Sequence, residues 1–186
     1  RSVGAGEKLM VGPSTIAAGA GANVDYVLSQ ELNDSSSHVH VIRHTSGRDA
    51  TIRNFTGNFG SSWVRQETIA DLSEPGSNCE VSGANVALGD QEIDQRTYQH
   101  HRAGHSRSDL LFKNALYDKA RTIFSGLILV EDGAHQTDAF QTCHNLVLSG
   151  EAEANSLPGL EINADQVRCS HGATCGQIDP EELFYL

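Results

Sequence analysis

Leu127-Ile128-Leu129-Val130, then Gly133-Ala134, then Asn145-Leu146-Val147-Leu148 is the stretch on which the fold turns. Two short apolar runs of β type flank a corner of small residues, and neither run is long enough for a membrane span. Moving outward, similar runs recur at Tyr26-Val27-Leu28, Val39-His40-Val41-Ile42, Ser62-Trp63-Val64, Asn85-Val86-Ala87-Leu88, Leu110-Leu111-Phe112, Leu160-Glu161-Ile162 and Val167-Arg168-Cys169. Each is bounded by Gly, Asn, Asp, Ser or Pro. Successive starts lie roughly 10–14 residues apart, which suits a sandwich, a barrel or a solenoid. Two details favour the solenoid. Gly4-Ala5-Gly6 recurs as Gly19-Ala20-Gly21, and Gly83-Ala84 and Gly133-Ala134 end later strands, as small residues do at coil corners. Asp132-Gly133 is the sole Asp-Gly, so two-residue hairpin turns are scarce. A coil of about 24 residues, with strands stacked about 4.8 Å apart, predicts a body about 35–40 Å long.

The 186 residues carry 13 Lys+Arg against 24 Asp+Glu, a formal charge of −11. That balance argues against nucleic acid and anionic membrane as partners, since both need clustered cations. Hydrophobic residues make up 38% and Gly numbers 18, so thin, repeated core layers are expected. Cys79, Cys143, Cys169 and Cys175 form no Cys-x-x-Cys and read as free thiols. The chain opens Arg1-Ser2-Val3-Gly4 without a signal region and reads as a piece of a longer protein. At the other end, Asp179-Pro180-Glu181-Glu182 sets an N-cap, a first-turn Pro and two acids, the start of a helix cut short at Leu186.

The last third of the chain resembles a known family. Gly126-Leu127-Ile128-Leu129-Val130, His135-Gln136-Thr137-Asp138-Ala139-Phe140-Gln141, Asn145-Leu146-Val147-Leu148-Ser149 and Leu157-Pro158-Gly159-Leu160-Glu161-Ile162 look like the core of the SufB/SufD proteins. Val167-Arg168-Cys169-Ser170-His171-Gly172-Ala173-Thr174, running on to Asp179 and Leu186, resembles SufD in particular. The resemblance implies an all-β fold, a right-handed parallel β-helix, with residues 1–178 as the core and residues 179–186 opening a truncated helical segment. It also implies a non-catalytic scaffold subunit, cytoplasmic (or of the plastid stroma in a plant or alga), that helps assemble iron–sulfur clusters. Its partners would be a SufB paralogue, or a second copy of the fragment, and the SufC ATPase, bound through the missing C-terminal helices. An iron–sulfur cluster or iron would be held transiently at the partner interface, with none expected in the isolated fragment.

Two residues follow from the resemblance as cluster and metal ligands. His171 occupies the position of the SufD histidine, and Cys143 that of the functional SufB cysteine, where SufD proteins usually lack one. Imidazole and thiolate are both sound iron ligands. Phe140, Thr142, Leu146 and Leu148 share one parity, so Cys143, with Gln141 and Asn145, is expected to face outward. His171 shares parity with Val167 and Cys169 and is expected to face inward. Cys169 reads as a core cysteine.

The other histidines read as structural. His101-x-x-x-His105 suits one zinc ion only on a helix, and Gly104 lies between them, so hydrogen-bonding roles are expected for His100, His101 and His105. His38, His40 and His44 alternate with Val39 and Val41 and are expected on a solvated strand face. The rival classes are a secreted β-solenoid that binds or cleaves polysaccharide and a cupin-like metal enzyme. One Trp, four Tyr and no convincing carboxylate pair weigh against the first.

Overall fold

A computed structural model describes residues 6–177 and residue 184. Twelve strands follow one another: β1 (Leu9–Ala18), β2 (Asn23–Gln30), β3 (Ser37–Ser46), β4 (Thr51–Asn58), β5 (Trp63–Leu72), β6 (Asn78–Ala87), β7 (Glu92–His101), β8 (Arg107–Leu116), β9 (Arg121–Val130), β10 (Asp138–Val147), β11 (Glu153–Ile162) and β12 (Arg168–Gln177). Odd strands stack as one six-stranded sheet and even strands as the other, so each coil places one strand in each sheet. Every pairing is parallel, and the protein is a parallel β-solenoid of about six turns.

Coils are longer than the spacing of the apolar runs suggests. They measure from 26 residues (Ser37 to Trp63) to 32 (Arg121 to Glu153), against the 24 expected. Five steps of about 4.8 Å then give a body about 24 Å long, shorter than expected. The difference has a simple cause. Most strands reach ten residues, because they continue into polar positions that the apolar runs do not mark.

Burial alternates along each strand, as in β5, where every second residue from Val64 to Leu72 is buried. The core is divided among three apolar clusters that run side by side along the coils, thin layers of the kind the lean composition suggests. Gly21, Gly76, Gly89 and Gly133 take positive φ at corners. Gly83 does not sit at a corner. It points inward from the middle of β6, where a Cβ would lie 2.8 Å from the Phe112 ring, so its missing side chain makes room for that phenyl. The helix expected from Asp179 lies outside the described residues, apart from Phe184, which is helical and exposed.

The lumen is more polar than the sequence suggests. His38, His40 and His44 point inward from β3 and are buried, not solvated. Ile42 shares their parity and carries the apolar weight of that face, while Val39 and Val41 lie on the outside, half-buried. Burial holds the His38 and His40 rings below the usual histidine range and pushes His44 down to about 4.

On the even-strand side, Asn58, Asn85, Asn114 and Asn145 stack in register and form a ladder. Asn58 Nδ2 donates to Asn85 Oδ1 at 2.7 Å, Asn85 Nδ2 to Asn114 Oδ1 at 2.8 Å, and Asn114 Nδ2 to Asn145 Oδ1 at 2.7 Å. Each amide meets the next coil, so the column fixes the stacking register without apolar contact.

Candidate functional site

The residues singled out by sequence converge on the last two coils. Strand β12 lies on β10 in register, pairing Cys169 with Ala139, His171 with Gln141, Ala173 with Cys143, and Cys175 with Asn145. Among the described residues no strand pairs with the far edge of β12. Among the described residues no further coil lies over its inward-parity side chains. His171 keeps the inward parity expected of it, yet it is exposed.

Cys143 has the opposite fate. Its side chain points into the lumen and is 0% exposed, contrary to the outward orientation expected from parity. Gln141 and Asn145 are buried beside it, and Leu146 and Phe140 lie toward the outside. The lumen-facing residues of β10 are Ala139, Gln141, Cys143, Asn145 and Val147, while Phe140 and Leu146 lie toward its outer surface. Ala139 and Val147, on the parity of Cys143, were the signal in the sequence.

The Cys143 thiol sits among polar groups. Asn114 Nδ2 donates to its sulfur at 3.6 Å, and Sγ donates to Asn145 Oδ1 at 3.8 Å. Burial pushes the thiol above its ordinary pKa, against the opposing hydrogen bonds of Ser156, Asn145 and Asn114. In this packing Cys143 is a protonated thiol sealed one coil below β12. It is not placed beside His171 on the exposed face.

The asparagine ladder ends here. Asn145 Nδ2 donates to Ser156 Oγ and to the Thr174 carbonyl, both at 3.2 Å, so the ladder fastens the backbone of β12. Sequence reasoning missed this column; the recurrence of Asn at intervals of 27, 29 and 31 residues was its only trace. On the outer face, Arg168 forks onto both oxygens of Asp138, and His144 Nδ1 meets Thr174 Oγ1 at 2.7 Å.

Cys169 is half-buried against Ala164, Val167 and the Ile128–Val130–Ala134–Ala139 cluster. Burial raises its pKa, with a hydrogen bond at the Ala139 backbone acting the other way. Cys79 is sealed beside His44, its pKa pushed up to about 12 by burial and the nearby Glu80. All four cysteines are free, as expected.

The histidines of β7 are structural. His101 is buried, and its Nδ1 and Nε2 each lie 2.7 Å from a serine hydroxyl, those of Ser106 and Ser108. Burial, with a smaller contribution from His100, pushes it down to about 4. His100 Nε2 lies 2.7 Å from Glu131 Oε1. His105 turns a corner at φ 57°. Among the described residues no three His, Cys, Asp or Glu side chains are arranged to hold a metal ion.

Fold and site together define a class: a parallel β-solenoid that carries Cys169, His171 and Cys175 on the last of its described strands. The chain belongs to the SUF system FeS cluster assembly family, SufBD core domain, which matches residues 2–186. It is 34% identical over 92% of its length to the iron–sulfur cluster assembly protein SufD of Escherichia coli, covering 41% of that protein. An iron–sulfur cluster assembly SufBD family protein of Synechocystis is 32% identical over 93% of the chain, of which 38% is covered. SufD of Bacillus subtilis is 28% identical over 93%, with 40% covered. The chain thus spans about two fifths of the length of these relatives. Among the described residues no helix is long and apolar enough to cross a membrane.

Proposed function

We propose that this chain is the β-helix core of a SufD-like scaffold subunit in iron–sulfur cluster assembly. It acts in the cytoplasm with a SufB paralogue and with the SufC ATPase, which holds the catalytic activity of the complex. The nascent cluster is cargo, held for a time where two subunits meet, and this chain performs no bond-making step of its own. The observation that carries the reading is the place of His171 in a Cys-Ser-His-Gly run on an exposed coil. Buried histidines elsewhere are enclosed within the lumen, as at His44 and His101.

In this reading His171 is a ligand to iron or to the cluster. An exposed imidazole is within reach of iron, and a partner surface then closes the site against water. Cys143 joins only if β12 lifts from β10, because Ala173 covers its position in the resting packing. A second surface for a partner is the outer face of the even-strand sheet near the C-terminal coils, on the opposite parity from His171. There Ala84, Val86, Ala115, Leu146 and Gly176 line a shallow, mostly apolar depression of about 630 Å³. A SufB paralogue, or a second copy of this chain, would cover it.

The decisive experiment is His171→Ala in the full-length chain, co-expressed anaerobically with its partner subunits. Cluster content should fall severalfold, while folding and ATPase binding stay intact. Normal cluster content would sink the reading. For the surface, light scattering should show a dimer of the fragment at high concentration, and strict monomer behaviour counts against it.

A further inference from the structure

We infer that His38 and His40, with Met10 beside them, form a binding site for one copper(I) ion inside the lumen. No step of iron–sulfur assembly runs through it, and it stands apart from the reading of His171. Strand β3, which carries both histidines, is paired on each side, with β1 on one and β5 on the other. Coils of this chain therefore enclose the pair.

Residues i and i+2 of a strand project to one face, and His38 and His40 both point into the lumen and are buried. Their ring centroids stand 5.6 Å apart at a tilt of 41°. Metal–nitrogen bonds of about 2.0–2.1 Å put each ring centre about 3.2 Å from a shared ion, which makes the angle at that ion about 120°. Both nitrogens of His38 and Nδ1 of His40 lack a hydrogen-bond partner, although buried polar atoms nearly always find one. Gln66, the register partner of His40 on β5, donates to Thr56 and accepts from Asn58 instead. His40 is also held in a fitting tautomer. Its Nε2 donates to Ser14 Oγ at 3.1 Å, and that hydroxyl meets Tyr26 Oη at 2.8 Å. A proton kept on Nε2 leaves the Nδ1 lone pair bare, as outer partners do for metal-binding imidazoles. On β1 the register partner of His40 is Gly12, where a Cβ would lie 3.7 Å from Nδ1; its absence keeps that lone pair open.

The donors choose the ion. Both rings are held below the usual histidine range by burial, so both are neutral at pH 7. Among the described residues no carboxylate or thiol joins them in a group of three donors. A divalent ion would carry two unbalanced charges into the lumen, at high cost, whereas copper(I) carries one. Met10, the only methionine, takes the lumen parity of β1 and is the register partner of His38. A thioether is a soft donor of the kind that selects copper(I), and imidazole suits copper as well. Met10 is also partly exposed, which gives the ion a way in. His44 lies further along the same face, where its Nδ1 is 4.0 Å from Cys79 Sγ, and takes no part in the site.

Copper(I), added anaerobically in competition with a chromophoric chelator, is the probe. The parent is the full-length chain with Cys169→Ser and Cys175→Ser, which removes the two thiols that are not sealed in the lumen. It should hold copper against the chelator. His38→Gln and His40→Gln should each weaken that binding at least tenfold, and Met10→Leu and Ser14→Ala severalfold. His135→Gln, at an exposed histidine far along the chain, should leave it unchanged. Thermal melts show which variants keep the fold. X-ray absorption at the copper edge of the parent should find nitrogen neighbours at about 2.0 Å, and this decides the question if a histidine variant melts early. No copper held by the parent, equal affinity in a folded His40→Gln, or a first shell of sulfur alone overturns the site. An affinity unmoved by Met10→Leu overturns the thioether ligand.

Discussion

Strands β8 and β12 have the same alternation and the same place in the coil, yet their inward side chains live in different worlds. In β8, Ser108, Leu110, Phe112, Asn114 and Leu116 are all buried. In β12 only Cys169 is half-covered, and His171, Ala173 and Cys175 are exposed. Parity directs a side chain toward the lumen, but burial requires a coil on each side. The difference teaches where chemistry is available in a solenoid. A lumen-facing thiol or imidazole in a covered coil is enclosed, as Cys143 and His101 are, whereas His171 and Cys175 on the last described strand are exposed.

Acid gives the largest expected contrast between covered and uncovered coils. His44 and His101 are held near 4, so unfolded chains take up protons at higher pH than folded ones. Their contribution is intact above about pH 6.5 and is lost as pH falls from there toward 4. The loss is about 3 kcal/mol for each histidine, or about 6 kcal/mol for the two. Denaturant midpoints at pH 7 and pH 4.5 should show the drop, and His44→Gln should shrink it. A midpoint that does not move between those pH values means these rings are not buried neutral.

Phe112→Ala should cost about 3–5 kcal/mol, since the ring is fully buried, packs edge-on to Phe124 at 5.9 Å and fills the space left by Gly83. Thr174→Ala on the outer side of β12 should cost under about 0.5 kcal/mol. Equal costs in denaturation experiments would erase the distinction between the two coils.

Asn114→Ala interrupts the ladder in the middle, leaving Asn85 Nδ2 without its acceptor and Asn145 Oδ1 with only the Thr122 hydroxyl and the Cys143 thiol as donors. A loss of about 1–3 kcal/mol is expected. Hydrogen exchange should also speed up at β12, because the ladder ends on the Thr174 carbonyl. Unchanged exchange there would limit the ladder to the central coils.

Thiol labelling gives the finest discrimination. A thiol reagent on the folded protein should modify Cys175 first and Cys169 more slowly, and should spare Cys79 and Cys143 until unfolding. Rapid labelling of Cys143 would show that β12 opens readily, and would bring that thiol back within reach of the site.

Much of this was legible in the sequence, and the misreadings share one cause. Short strands, corner glycines and a lean composition led to the solenoid, and the order of motifs led to the family. Parity was misassigned at β3 and β10 because apolar residues were taken to mark the inside. That rule holds for sheets with one wet face. Here the outer face of β10 carries Phe140 and Leu146 while the lumen carries Gln141, Cys143 and Asn145. For the asparagines the partner comes from the next coil, 27 to 31 residues away in sequence, where a local pattern does not show it.

By itself the sequence determined the kind of fold, the family and the strand that carries His171, because turn residues, β-type runs and motif order are local properties. Only the tertiary structure decided which side of each strand is the lumen, which thiols are sealed, and that Cys143 is enclosed beneath Ala173 while His171 is exposed. Those outcomes depend on register between coils and on whether a further coil covers a strand. Residues about thirty positions away set both.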